Sequence, residues 1–246
     1  MSTVLKRAYA YLATYLLLAI LAVTILVWTA LALILLAPLP RTRRRAAVRY
    51  TMMGGFRFFA HALTAIGAYE LDLTAIDALR GGPPLILAPN HPSSIDAILF
   101  LSRHPDLACI LKPDLMNNFF LGAGARLAGF IRSEPPRRMI RDAVAELERG
   151  GLVLLFPEGT RTIRAPLNRL TGSASVIARR AWVPIQVAII ETDSPYLSKG
   201  WPIFRVPRLP IRYRVRLGRR LEPADDAAAG TLVLEKELTR ELVSLP

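Results

Sequence analysis

Apolar and polar positions divide the chain into distinct regimes. Residues 8–38 contain no charged side chain and are mostly Leu, Ala, Ile and Val. As one helix the run is about 45 Å long at ~1.5 Å per residue, more than a hydrocarbon core of about 30 Å requires. It predicts a membrane helix, either spanning or folded back as a helical hairpin in one leaflet. A cleaved signal peptide fits less well, because the run is roughly twice the usual apolar segment and no A-x-A site follows. Pro38 and Pro40 end it. Residues 46–69 then place Val48, Met52, Phe56, Phe59 and Leu63 three or four apart, which predicts a second helix. Its aromatics and Arg57 suit either a membrane surface or a core-facing helix, and Gly54-Gly55 argues against a straight one.

Beyond residue 67 the period changes. Residues 70–73 alternate as a strand, 76–80 form a connector, and Gly81-Gly82-Pro83-Pro84 breaks the chain. Short apolar runs at 85–88, 107–111, 152–156 and 183–190 read as buried strands, separated by helical stretches such as 135–149, which Gly150-Gly151 stops. That order predicts an α/β fold with a mainly parallel sheet flanked by helices, preceded by the N-terminal membrane helix or helical hairpin. The domain division is therefore 1–66 for membrane-anchoring helices and 67–246 for the functional domain. Residues 211–217 alternate, with Arg212, Arg214 and Arg216 on one face, for solvent or for anionic lipid headgroups. From Asp225 an amphipathic helix is expected, with Leu232, Leu238 and Leu242 toward the core.

Charge adds a location. The chain of 246 residues has 32 Lys+Arg against 19 Asp+Glu, a net charge of +13. That excess points to anionic partners such as membrane lipid, a phosphorylated substrate, an acidic carrier or nucleic acid. Lys6 and Arg7 precede the apolar run, whereas Arg41, Arg43, Arg44, Arg45 and Arg49 follow it. The heavier side favours the cytoplasm, placing the functional domain on the cytoplasmic face of the cell's inner membrane. Cys109 is the single cysteine and lies in an apolar run, so it reads as packing. His61, His91 and His104 are the only histidines, without HExxH or CxxC spacing, so no metal is expected.

Two loops carry the chemistry. Asn90-His91-Pro92-Ser93-Ser94-Ile95-Asp96 joins the strand at 85–88 to a helix beginning near Asp96. On one helix, positions five apart lie about 140° apart, from roughly 3.6 residues per turn, so His91 and Asp96 could not share a face. Across a strand-to-helix loop they can meet, which suits an imidazole oriented by a carboxylate; a helix cap is the plainer alternative. Pro157-Glu158-Gly159-Thr160-Arg161 follows the strand at 152–156. Ligands of open α/β sheets bind beyond the carboxyl ends of the strands, where both loops belong. Gly159 would admit a close backbone approach, and Thr160 and Arg161 offer donors to a phosphate; a local Glu158–Arg161 ion pair is the alternative. Lys112 and Arg132 extend the basic lining, whereas Arg137 and Arg138 read as surface.

These blocks resemble the glycerolipid acyltransferases, specifically the lysophosphatidate (1-acylglycerol-3-phosphate) acyltransferases. The likeness lies in Asn90-His91-x-Ser93-x-x-Asp96 and Phe156-Pro157-Glu158-Gly159-Thr160-Arg161, with Gly129-Phe130-Ile131-Arg132 between and Val183-Pro184-Ile185 after. It departs at Gln186-Val187-Ala188, where that family often has a second proline. The resemblance implies that 67–246 is an acyltransferase catalytic domain moving a fatty acyl group from acyl-CoA or acyl-carrier protein to lysophosphatidate. It implies His91 as general base and Asp96 as its partner, with Glu158, Gly159, Thr160, Arg161, Arg132 and Lys112 binding substrate. No cofactor is implied beyond the acyl co-substrate, and the partners are the phospholipid membrane, a lysophospholipid and, in one alternative, acyl-carrier protein. Nucleic acid explains the charge but not the apolar run or the loops. A serine esterase lacks its G-x-S-x-G elbow here. Another acceptor, glycerol-3-phosphate or a lyso-aminolipid, and a non-catalytic membrane adaptor of the same fold are the remaining alternatives.

Overall fold

The charge-free strands lie side by side at the centre of the sheet, as burial on both faces requires. The computed structural model describes residues 3–202 and 204–244. Its elements run α1 (Thr3–Leu31), a π-helical turn (Ala32–Leu36), α2 (Arg41–Ala65), β1 (Tyr69–Asp72), a 3-10 segment (Thr74–Leu79), β2 (Ile86–Pro89), α3 (Asp96–Leu101) and β3 (Leu107–Leu111). There follow α4 (Pro113–Asn117), α5 (Phe119–Leu127), β4 (Ile131–Arg132), α6 (Pro136–Glu148), β5 (Leu152–Leu154), α7 (Ser173–Ala181), β6 (Ile185–Thr192), β7 (Ile211–Leu221) and α8 (Ala227–Val243).

The seven strands stand in the order β1-β7-β6-β2-β5-β3-β4. Every neighbouring pair is parallel except β6 and β7, so the sheet is mainly parallel, as expected. Successive strand residues face opposite layers. Leu87 and Leu154 pack with Leu17 of α1, Phe59 and Leu63 of α2 and Phe100 of α3. Ile86 and Val153 face Leu147 of α6, Ile177 of α7 and Leu238 of α8.

The apolar N-terminal run is the one helical stretch among the described residues, Val4–Leu36, long and apolar enough to cross a membrane. It does not stand alone. The Tyr9 hydroxyl donates to the carbonyl of Ile66, Trp28 Nε1 donates to Thr51 Oγ1 at 3.2 Å, and Arg44 Nη1 to the Ala37 carbonyl at 3.0 Å. α1 and α2 are thus an antiparallel hairpin. Leu12, Leu16, Val23, Val27 and Ile34 remain exposed on its outer side. A buried ion pair pins α2 to the sheet domain: Arg49 Nη1 meets Glu146 Oε1 at 2.5 Å, and Arg49 Nε donates to the Ala128 carbonyl at 2.7 Å.

Several expectations need correction. α2 begins at Arg41, five residues before the apolar period, because Pro40 supplies an extended residue ahead of it. In α8, Leu232 is 69% exposed and Leu234 takes its place in the core with Leu238. Asp226 caps α8 from both carboxylate oxygens, which sets that register. On the alternating face of β7, Arg212 pairs with Glu70, Arg214 with Asp72, and Arg216 with Glu191 and Glu241; Arg212 and Arg214 stay exposed, as a solvated strand face requires.

Candidate active site

The first loop leaves β2 at Pro89, and Asn90 closes it against the sheet. Its Nδ2 donates to the Ile190 carbonyl at 3.1 Å while its Oδ1 accepts from the Ile190 amide at 2.7 Å. His91 follows, and Asp96 is the first residue of α3. His91 Nδ1 and Asp96 Oδ2 lie 2.8 Å apart, and the Ser93 amide donates to the same oxygen at 2.9 Å. Asp96 is completely buried. Burial pushes its carboxyl above the ordinary range, while hydrogen bonds from His91, the Ser93 amide and Tyr213 pull the other way. An Nδ1–H given to Asp96 leaves Nε2 as the ring's free acceptor. The Phe156 ring stacks on the imidazole at 3.8 Å and 19°, fixing its plane.

The second loop grips both backbone groups of His91. Glu158 Oε1 accepts from the His91 amide at 3.0 Å, and the Thr162 amide donates to the His91 carbonyl at 2.7 Å. Glu158 also accepts from Thr162 Oγ1 at 2.7 Å and from the Asn168 amide at 2.9 Å. Gly159 sits at φ +66°, which favours glycine, and its amide is turned to the Phe156 carbonyl at 3.0 Å. Thr160 is half-buried beside it. Arg161 makes no ion pair with Glu158. Its Nη1 donates to the carbonyls of Leu197 at 2.8 Å and Ser198 at 2.9 Å, leaving Nε and Nη2 without partners among the described residues.

Lys112 and Arg132 stand farther along the same edge. Leu111 is in register with Arg132, so Lys112 leaves the end of β3 beside β4. Arg132 is half-buried and its Nη1 donates to Asn117 Oδ1 at 3.0 Å, while Lys112 is exposed. Strand order places the relevant carboxyl ends as β2, β5, β3, β4. At about 4.8 Å per strand, the strand of Arg132 lies roughly 14 Å and that preceding Lys112 roughly 10 Å from the His91 strand, measured between strand axes. Arg137 and Arg138 are exposed on the first turn of α6, with Arg138 paired to Asp142.

An apolar cavity of about 200 Å³ adjoins the first loop. Leu17 and Leu21 of α1, Phe59 of α2, Ile98 of α3, and Ser94 and Ile95 of the loop line part of it. A larger concavity, about 640 Å³, is lined by α8 alone and touches none of the loop residues.

Sequence reasoning missed Tyr213, whose hydroxyl donates to Asp96 Oδ1 at 2.7 Å. It had placed Tyr213 on the apolar face of an alternating strand, and a phenol buried there needs a partner. Nothing in the pattern named that partner. It also missed Asn168, which holds the second loop through Glu158 and the Arg161 carbonyl.

The structure brings together a strand-end histidine held by a buried aspartate, cations along one sheet edge and an adjoining apolar cavity. Residues 70–191 match the family model described as Acyltransferase. The chain belongs to that family and is an enzyme. The chain is also similar to two proteins named as lysophosphatidate acyltransferases. A 1-acyl-sn-glycerol-3-phosphate acyltransferase of Pseudomonas aeruginosa is 24% identical over 182 residues, 71% of this chain and 69% of that one. The crystal structure of the 1-acyl-sn-glycerophosphate (LPA) acyltransferase of Thermotoga maritima superposes with a TM-score of 0.75. It covers 97% of this chain and 96% of that one at 19% identity, and it shares the fold.

Proposed function

We propose that this enzyme transfers a fatty acyl group from a thioester, acyl-CoA or acyl-carrier protein, to the sn-2 hydroxyl of lysophosphatidate, giving phosphatidate. His91 is the general base. The observation that carries this reading is the 2.8 Å contact between His91 Nδ1 and Asp96, which leaves Nε2 as the ring's acceptor on a loop whose Ser94 and Ile95 line an apolar cavity. Nε2 takes the hydroxyl proton as the oxygen attacks the thioester carbonyl. The tetrahedral intermediate then expels the thiolate, which recovers the proton from the imidazolium. Asp96 holds the tautomer and stabilises that cation, as in serine hydrolases, except that the substrate supplies the hydroxyl.

Lys112, Arg132 and the free edge of Arg161 receive the acceptor phosphate; Arg132 and Arg161 can grip it with paired N–H groups. Gly159 and Thr160 shape the turn that carries Arg161, and Glu158 holds that turn against His91. The cavity between α1, α2 and α3 takes acyl chain. The α1–α2 hairpin anchors the domain in the cytoplasmic leaflet of the inner membrane, its exposed apolar stripe in acyl chains and the arginines opening α2 among anionic headgroups. Pairing of α1 with an arginine-bearing α2 favours a one-leaflet hairpin over a lone spanning helix.

The test is an assay of membranes carrying the enzyme with labelled acyl-CoA and acyl-carrier protein thioester against lysophosphatidate, glycerol-3-phosphate and lyso-aminolipid. Phosphatidate from lysophosphatidate is the expected product. Acylation of another acceptor alone would overturn the substrate assignment.

A further inference from the structure

Tyr213 reaches the site from β7, which together with β1 runs against the other five strands. The parallel strands deliver their loops at their carboxyl ends, whereas β7 is antiparallel to β6. Its register places Tyr213 opposite Thr192, the last residue of β6, so the start of β7 lies where the loops emerge. The alternation of β7 turns Ile211, Tyr213 and Val215 inward together.

Asp96 and Tyr213 are both buried, and the two carboxylate oxygens are divided cleanly. Oδ2 takes His91 Nδ1 and the Ser93 amide, and Oδ1 takes the Tyr213 hydroxyl at 2.7 Å. We propose that Tyr213 is a positioning residue of the acyl-transfer reaction, its hydroxyl fixing Oδ1 of Asp96 so that Oδ2 stays aimed at His91. This deepens the reading of His91 as base and rests on it.

The surroundings leave Tyr213 as a donor only. Burial and the neighbouring carboxylate push its phenol well above the ordinary value. Tyr69 of β1 also feels Asp96 and is likewise raised, first by burial and then by Tyr196 and Asp96. The titratable groups facing Asp96 are thus His91 from its own loop, Tyr213 from β7 and Tyr69 from β1, with Tyr196 behind Tyr69. Both tyrosines stay neutral, and no arginine or lysine bonds to the carboxylate among the described residues.

Removing the hydroxyl withdraws a hydrogen bond from a buried anion. The anion then leans harder on the protonated imidazole, so the His91–Asp96 pair holds its proton to higher pH. Tyr213→Phe keeps the ring and removes one O–H. In membranes or detergent it is expected to lower kcat about tenfold or more, from hydrogen bonds to charged groups, with KM for the acceptor unchanged. The discriminating readout is the protonation midpoint of the His91–Asp96 pair. It is followed by imidazole nitrogen NMR and assigned by the signal that His91→Ala removes.

That midpoint is expected to move to higher pH in Tyr213→Phe. Replacement of Tyr213 by 3-fluorotyrosine keeps the fold contacts and strengthens the donor, so the midpoint is expected to move to lower pH. A midpoint unmoved in a folded variant overturns the proposal, because packing alone would change stability or rate and leave the midpoint in place. If Tyr213→Phe does not fold, the fluorotyrosine protein decides by the same measurement. Wild-type enzyme that fails to acylate lysophosphatidate would overturn the substrate reading, while the midpoint comparison would still decide on Tyr213.

Discussion

Glu158 Oε1 accepts a hydrogen bond from the backbone amide of His91 at 3.0 Å, joining the loop after β5 to the loop after β2. The carboxylate is buried and spends its other bonds on Thr162 and Asn168. Its geometry is that of a brace. Glu158→Gln puts an NH2 group against one of three donors, and an unmet buried group costs about 1–3 kcal/mol. A kcat loss of about tenfold or more with little change in acceptor KM is expected in steady-state assays. A KM effect without a kcat effect would instead make Glu158 a substrate ligand.

Arg161 serves two masters. Nη1 holds the carbonyls of Leu197 and Ser198, and Nε and Nη2 have no hydrogen-bond partner among the described residues. A lysine supplies charge but not the planar fork. Arg161→Lys is expected to raise the KM for lysophosphatidate about tenfold, ~1.4 kcal/mol, and to speed amide exchange in residues 194–200. Faster exchange with an unaltered KM would confine Arg161 to holding that segment.

The sequence made the parallel half of the molecule legible because buried strands must be apolar on both faces. The strand at 107–111 was found to the residue, and those at 152–156 and 183–190 to within a few positions. His91 and Asp96 were legible for a different reason: loop spacing forbids their meeting on a helix and permits it at a strand end. What stayed hidden depends on contacts between distant segments. Tyr213 lies 117 positions from Asp96, and its role arises only because β7 reverses direction. Whether the apolar run stands alone or belongs to a hairpin stayed open, since it satisfies either geometry by composition, and its pairing with α2 rests on contacts between the two helices. Leu232 misled because a leucine two residues from Leu234 fits the same amphipathic pattern.

The Arg49–Glu146 pair ties the N-terminal hairpin to α6 and, through Arg49 Nε, to the turn before Arg132. Burial raises the Glu146 carboxyl, but Arg49 and Arg149 outweigh it, and the net value lies below the ordinary 4.5. A depressed carboxyl contributes stability above its unfolded value that is lost as pH falls through the folded one. The expected acid weakening therefore begins below about pH 4.5 and is absent in a variant lacking Glu146. Glu146→Ala is expected to cost about 3–5 kcal/mol in denaturant unfolding, because Arg49 is left buried without its partner. Joint replacement of both residues by apolar side chains should recover most of that loss.

Cys109 lies fully buried in β3, and burial pushes its thiol up to about 12. Thiolate is the reactive form, so the native enzyme should resist thiol reagents at neutral pH. Labelling is expected to begin only with unfolding of the sheet, and its denaturant midpoint should coincide with that from circular dichroism. Rapid labelling of the folded enzyme would contradict the placement of β3.

The central claim is that His91 takes the acceptor's proton. The measurement that tests it most directly compares wild type and His91→Ala, matched for folding by circular dichroism, in lysophosphatidate acylation with each thioester donor. The expected result is formation of phosphatidate by the wild type and a fall in kcat of about 10²–10⁴-fold in the variant, the span of a positioned general base. Activity in folded His91→Ala within a fewfold of wild type would contradict the mechanism.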